Sequence, residues 1–238
     1  MIAHYPGSIN RRDIIKLLVG IFPKYFKERN NQQLKQILLF SFYPKFRFRH
    51  LAKSESEVEL ADAIGRVFHR WVMNFARNHP DYRVVIKTKV ADFYTDYVNS
   101  ILTENFNEQI RNLIITDSIE PVDLIRGSIA VLGFSSMTLI EAAIADKMII
   151  SPDFSSVFAG RSWDYFDNHP QLINYVKTEE ELSGLILNRA RNFKYDRKIR
   201  EDFLKDFIYT PDGQASFRAE NEIIKVINNN KKYEENKD

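Results

Sequence analysis

The sequence predicts an α/β fold, a parallel sheet with helices on both faces. Two observations predict it. From residue 36 onward, short apolar runs alternate with longer stretches of helical periodicity. The runs are continuous rather than alternating apolar and polar, as expected of strands buried on both faces under covering helices.

The elements follow in order. Residues 11–29 read as a helix with Ile14, Ile15, Leu17, Leu18, Ile21 and Phe22 among basic residues, kinked or ended by Pro23. "QILLFSF" (36–42) reads as a buried strand and "PKFRFRHLAK" (44–53) as a basic loop. Residues 54–80 give the clearest helix: Ser and Glu open it, and Val58, Ala61, Ile64, Val67, Phe68, Trp71, Val72 and Phe75 recur at helical spacing. His69 and His79 are expected on its surface. "RVVIK" (83–87) is a strand, 93–110 a helix, "NLIIT" (112–116) a strand, and "EPVDLIR" a short helix stopped by Gly127. Next come a strand at 129–133, a helix at 136–145 and a strand at 147–151. An aromatic-rich loop leads to a strand "INYV" (173–176) and helices near 178–192, 196–207 and 214–230. The polar tail that follows is expected to fray.

The totals narrow the function classes. With no cysteine among 238 residues, disulfides, thiolate metal sites and cysteine nucleophiles are excluded. No apolar run reaches the ~20 residues of a membrane helix, and the N-terminus lacks the order of a signal peptide. A cytoplasmic protein is the expectation. The net charge of +2 hides an asymmetry, because residues 1–53 hold eleven Lys and Arg against two acids. That front end suits an anionic partner such as a membrane surface, or is simply a solvated face. No cluster of His and acids has metal-ligand spacing, there is no Asp-x-Asp, and Gly-x-Ser-x-Gly, the hydrolase elbow, is absent.

The stretch "LGFSSMTLIEAAIADKMIISPDF" (132–154) carries the chemistry. A strand ends at Gly133, two serines follow, and a helix begins. In open parallel sheets, ligands bind beyond the carboxyl ends of the strands. A helix N-terminus there aims N–H groups and partial positive charge at an anion. Gly133 allows close approach, and Ser135 and Ser136 add hydroxyls. Glu141, about one and a half turns into the helix, suits a sugar diol. Thr138-Leu-Ile-Glu141 also fits a capping box, in which the acid only closes its own helix.

"DLIRGSIAVLGFSSMTLIEAAIADKMIISPDF" resembles the nucleotide-sugar-binding half of GT-B glycosyltransferases, of the kind that build bacterial capsules, lipopolysaccharide and other surface carbohydrates. "VVIKTK" and "YTPDGQASFR" (209–218) occur in the corresponding order, so the resemblance covers roughly residues 36–225. It implies a Rossmann-like sheet, one half of a GT-B fold. It implies that Ser135, Ser136 and Thr138 contact the donor's phosphates, that Glu141 holds ribose or sugar hydroxyls, and that Lys87 stands near the diphosphate. Asp212 and Gly213 would line the cleft, or simply form the turn before the last helix. Lys87 has an equally simple reading as a snorkelling surface lysine. The resemblance implies a nucleotide sugar as donor and no separate cofactor or metal. It implies a carbohydrate or lipid-linked acceptor, with the protein in the cytoplasm or peripheral to the inner face of the membrane.

The chain departs from that pattern in three ways. Met148 replaces the usual proline, Lys89 and Val90 stand where a His-Pro pair is common, and residues 1–35 are too few for a second sheet domain. The expected organisation is a helix or linker remnant (1–35), one nucleotide-sugar-binding domain (36–228) and a tail (229–238), without nucleic-acid binding. No catalytic residue is assigned. A scaffold that keeps the fold and docks onto a partner chain or membrane is the alternative, as is a sugar-nucleotide epimerase-like protein.

Overall fold

A computed structural model describes residues 35–45, 52–158, 164–208 and 212–235, with the side chains of 208 and 229–235 excepted. The helix read at 11–29 and most of the basic loop, with Arg47, Arg49 and His50, lie outside these residues. The chain divides into two units, residues 30–201 and a second made of 1–29 with 202–238. The sequence reading carries one domain on to 228.

The first unit is a six-stranded, wholly parallel sheet. Its strands are β1 Gln36–Phe40, β2 Arg83–Lys87, β3 Leu113–Thr116, β4 Ser128–Leu132, β5 Met148–Pro152 and β6 Asn174–Val176, in the order β3-β2-β1-β4-β5-β6. That is the order of doubly wound, Rossmann-like sheets, in which the winding reverses at β1. The connecting helices are α1 Glu55–Asn78, α2 Asp92–Asn105, α3 Pro121–Gly127 and α4 Met137–Ile144, followed after β6 by α5 Glu179–Asn188. Right-handed crossovers put α1 and α2 on one face and α3 and α4 on the other.

Alternation along the strands builds both faces. Ile37, Leu39, Val84, Ile86, Ala130, Leu132, Met148 and Ile150 point into one core with Phe68, Val72 and Phe75 of α1 and Leu182 and Ile186 of α5. The intervening Leu38, Val85, Val131 and Ile149 are buried as well and face the other way, the side of α3 and α4. A strand with water on neither face has to be apolar at every position, hence the continuous runs.

Local signals start the helices. Ser54 caps α1, its Oγ accepting from Glu57 N at 3.3 Å while Glu57 reaches back to Lys53 N at 2.7 Å. Thr178 and Glu181 repeat that arrangement on α5, with Lys177 N donating to Glu181. Two helices end well short of what their periodicity predicts. The one read at 93–110 stops at Asn105, because Phe106 turns extended and buries its ring, with the Arg77 guanidinium 5.3 Å from its centre. The one read at 178–192 breaks at Arg189 and continues as a 3-10 turn, Ala190–Asn192.

The second unit holds most of α6 Arg197–Ile208, which starts in the first, and α7 Ala215–Glu235. No described helix is long and apolar enough to cross a membrane.

Gly65 sets how closely α1 lies on the end of β1. A Cβ there would come within 2.5 Å of Pro44 Cγ, in a ring that cannot move aside. On helix propensity alone, alanine would gain about 1 kcal/mol. Overpacking of this kind costs about 1–3 kcal/mol, so Gly65→Ala should lower the urea midpoint of unfolding. A raised midpoint would mean that α1 is not seated on Pro44.

Candidate functional site

The turn between β4 and α4 lies at the carboxyl edge, next to the reversal at β1. Gly133 continues the ladder, its N donating to Ile150 O at 3.1 Å. A side chain there would press on Leu139 (3.3 Å) and on the carbonyl of Phe40 (3.4 Å). The glycine therefore lets α4 and β1 pack together, which is reason enough for it without a ligand. Ser135 is buried with φ 40°, a left-handed conformation uncommon outside glycine. It turns the chain so that α4 starts at the sheet edge.

Ser136, not Thr138, caps α4. Its Oγ accepts from Thr138 N at 3.4 Å and lies 2.8 Å from Thr138 Oγ1, and its carbonyl accepts from Leu139 N at 3.0 Å. The capping-box reading of Thr138 and Glu141 is thereby overturned: with the cap at 136, the box position falls on Leu139 and Glu141 is two residues too far along. Thr138 and Glu141 instead share the outward face of α4, opposite the buried Leu139, Ile140, Ala142 and Ala143. Glu141 is half-buried, has no polar partner among the described residues, and has its carboxyl pushed above the ordinary range by burial. The structure thus brings together Gly133, Ser135, Ser136, Thr138 and Glu141: two paired hydroxyls and a partnerless carboxylate at a helix start.

Lys87 stands apart. It ends β2, and β1 lies between β2 and β4, which at the usual spacing separates the two strands by about 10 Å. Its Nζ donates to Thr88 O (2.9 Å) and Asp117 O (2.7 Å), so it is a buried tie between the loops after β2 and β3, not a snorkelling surface lysine. Asp212 and Gly213 belong to the second unit and form the turn before α7. Gly213 has φ 75°, and Asp212 accepts from Gln214 N (2.9 Å) and from Arg218 (2.8 Å), with its carboxyl held low chiefly by Arg218. The Asp146–Lys147 end of the motif is structural too. Asp146 pairs with Arg200 at 2.9 Å, and Lys147 donates to Arg126 O, where the last turn of α3 favours a cation. Among the described residues, no three potential ligands cluster as a metal site.

Solved structures similar to this chain include these two. One, described as the crystal structure of TarM, has 12% identity over 81% of this chain and 36% of its own, with a TM-score of 0.49. The other is the C-terminal domain of a glycosyl transferase group 1 family protein (LpcC) from Francisella tularensis, with 13% identity over 79% of this chain and 98% of its own, and a TM-score of 0.42. The chain thus spans little more than a third of TarM. No protein-family model matches it, and no curated protein does.

The sequence reading passed over a buried pair at the end of β1. His69 is not on the surface of α1 but fully buried. Its Nδ1 lies 2.7 Å from Gly65 O, an acceptor, so Nδ1 carries the proton and Nε2 accepts from Ser41 Oγ at 3.0 Å. His69 follows Gly65 by four residues and precedes Val72 by three, so the buried stripe of α1 was the signal for it. With neither member exposed, the pair serves to fasten α1 to the sheet edge.

Burial pushes the His69 imidazole from 6.5 down to about 4. The unfolded chain therefore binds its proton more tightly than the folded one. Stability is complete above pH 6.5 and falls as pH drops from 6.5 towards 4, by ~3 kcal/mol in all. Denaturant titrations across that window should show wild type losing more stability than His69→Gln. Parallel profiles would mean that His69 is already charged in the fold.

Proposed function

We propose that this chain is the nucleotide-sugar-binding domain of a metal-independent glycosyltransferase that acts in bacterial surface polysaccharide biosynthesis. The observation that carries the reading is Glu141, a half-buried carboxylate with no polar partner among the described residues, on the same face of α4 as Thr138. A carboxylate desolvated without compensation costs stability, and a pair of vicinal hydroxyls is the partner that would offset the cost. The sequence resemblance supplies the class of ligand.

In this reading the donor's diphosphate lies against the start of α4. The Thr138 N–H bond to its cap is long at 3.4 Å and is readily exchanged for a phosphate oxygen. Thr138 Oγ1 and Ser136 Oγ add donors, and the helix dipole favours the charge that builds on the leaving group as the glycosidic bond breaks. Glu141 holds the ribose or sugar diol and so orients the donor. Lys87 has both its contacts on backbone carbonyls and supports the edge from two strands away. The acceptor is a carbohydrate or lipid-linked carbohydrate, and the basic front end suits the anionic inner face of a membrane.

Glu141→Gln tests the assignment by calorimetric titration with UDP-, CDP- and CMP-sugars. Losing a charge-assisted hydrogen bond should weaken the best-binding donor by roughly tenfold to a hundredfold. Without ligand the variant should be as stable as wild type at neutral pH, or slightly more so. The sign follows from the raised carboxyl: the folded state resists ionisation, so its stability drops as pH rises through that group's titration, and glutamine removes the drop. Equal affinities, or no binding of any of these donors at millimolar concentration, would sink the reading.

A further inference from the structure

The apolar face of α1 is wider than its core contacts need. Val58, Ala61, Phe68, Val72 and Phe75 are buried, but Ile64, Val67 and Trp71 are only half-buried, on one flank of the helix. They form one wall of a cavity of about 430 Å³ that opens at the carboxyl ends of β5 and β6. Val176 stands across from them. Phe68 meets Trp71 edge to face at 6.3 Å and fixes the indole. The rim is polar. Asp153 accepts from Ser155 N at 2.7 Å and pairs with Lys177 at 3.3 Å, with Ser155 and Ser156 exposed beside it. Burial pushes the Asp153 carboxyl up, but Ser155 and Lys177 outweigh this and hold it below its ordinary range, so it is an acceptor at neutral pH.

We propose that this cleft binds a pyranose ring. Its size falls in the range of small-molecule sites, roughly 300–1,000 Å³. A pyranose has an apolar C–H face and a girdle of hydroxyls, and the cleft offers an aromatic and aliphatic wall with acceptors and donors only at its rim. The rim's acid and base are paired with each other, so it carries no net charge to attract a phosphate, and a neutral polyol is the better match. A carboxylate has about four lone-pair sites, which leaves Asp153 acceptor capacity beyond Ser155 and Lys177. The inference rests on the carbohydrate reading above but uses none of its residues. The ring comes either from the donor's sugar or from a separate saccharide.

The test is saturation-transfer NMR with methyl glycosides of glucose, galactose, mannose and N-acetylglucosamine. At least one should receive saturation on its ring protons and shift the indole N–H signal of Trp71. This signal is told from that of Trp163, the other of the chain's two tryptophans, by substitution. Trp71→Ala should weaken that glycoside roughly tenfold or more, while Trp71→Phe retains most of the affinity. Asp153→Asn should also weaken it. Added nucleotide sugar displaces the glycoside if the ring is the donor's own, and leaves it bound if the saccharide is separate. No transfer to any of the four, or no shift of the Trp71 signal on binding, overturns the proposal even if Trp71→Ala fails to fold. Donor binding lost in Glu141→Gln with no glycoside in the cleft would leave the nucleotide-sugar site standing alone. Glycoside binding without donor binding would leave only the cleft.

Discussion

The fold depends on β1 lying between β2 and β4. Hydrogen-bonded on both sides, and buried on both faces at Ile37, Leu38 and Leu39, it is the strand at which the winding reverses. A strand so enclosed can hold no chemistry along its length, because an unpaired polar group there would cost several kcal/mol. Polar function is left to the carboxyl ends, where the loops of the two halves part. The amino end shows the same economy. Gln36 is the one polar residue of β1, and its amide is spent on Leu124 O (3.1 Å) and Ser128 Oγ (3.0 Å), across the register shift between β1 and β4.

The carboxyl edge is not equally open on its two sides. Phe42 after β1, Phe134 after β4 and Phe154 after β5 turn their rings into the α1 side, with centroids 4.4 to 6.3 Å apart, all buried. They plug the reversal point on that side. The start of α4 carries its polar groups on the other, and this asymmetry keeps Ser136, Thr138 and Glu141 partly open to solvent. Beyond the plug, under the flank of α1, the packing loosens again into the cleft beside Trp71.

Much of the fold was legible because it is local. Each apolar run is a strand, and Ser54 with Glu57 marks a helix start that the structure keeps. The same S/T-x-x-E pattern, one of two readings at Thr138, does not hold there, because Ser136 two residues earlier captures the cap. Pattern alone cannot rank two candidates whose choice depends on where the strand releases the chain. The snorkelling reading of Lys87 failed for a related reason. The carbonyls that hold it, Thr88 and Asp117, come together only once β3 pairs with β2. His69 was visible in the periodicity and was overlooked because histidine is more often exposed. The cleft had half a signal, an apolar face on α1 broader than a core needs, and its other wall awaited the pairing of β5 with β6.

The left-handed turn at Ser135 bears on how this sequence can drift. A non-glycine residue in that region carries strain of order 1 kcal/mol or more, borne by the surrounding fold. Among single substitutions, glycine relieves that strain and removes one hydroxyl, while a β-branched residue such as valine or isoleucine adds to it. Relatives of this chain that keep the turn should therefore scatter over serine, asparagine, aspartate and glycine at this position and avoid the β-branched residues that fill the strands on either side. That would be a signature of backbone shape, present whether or not the turn has retained its chemistry.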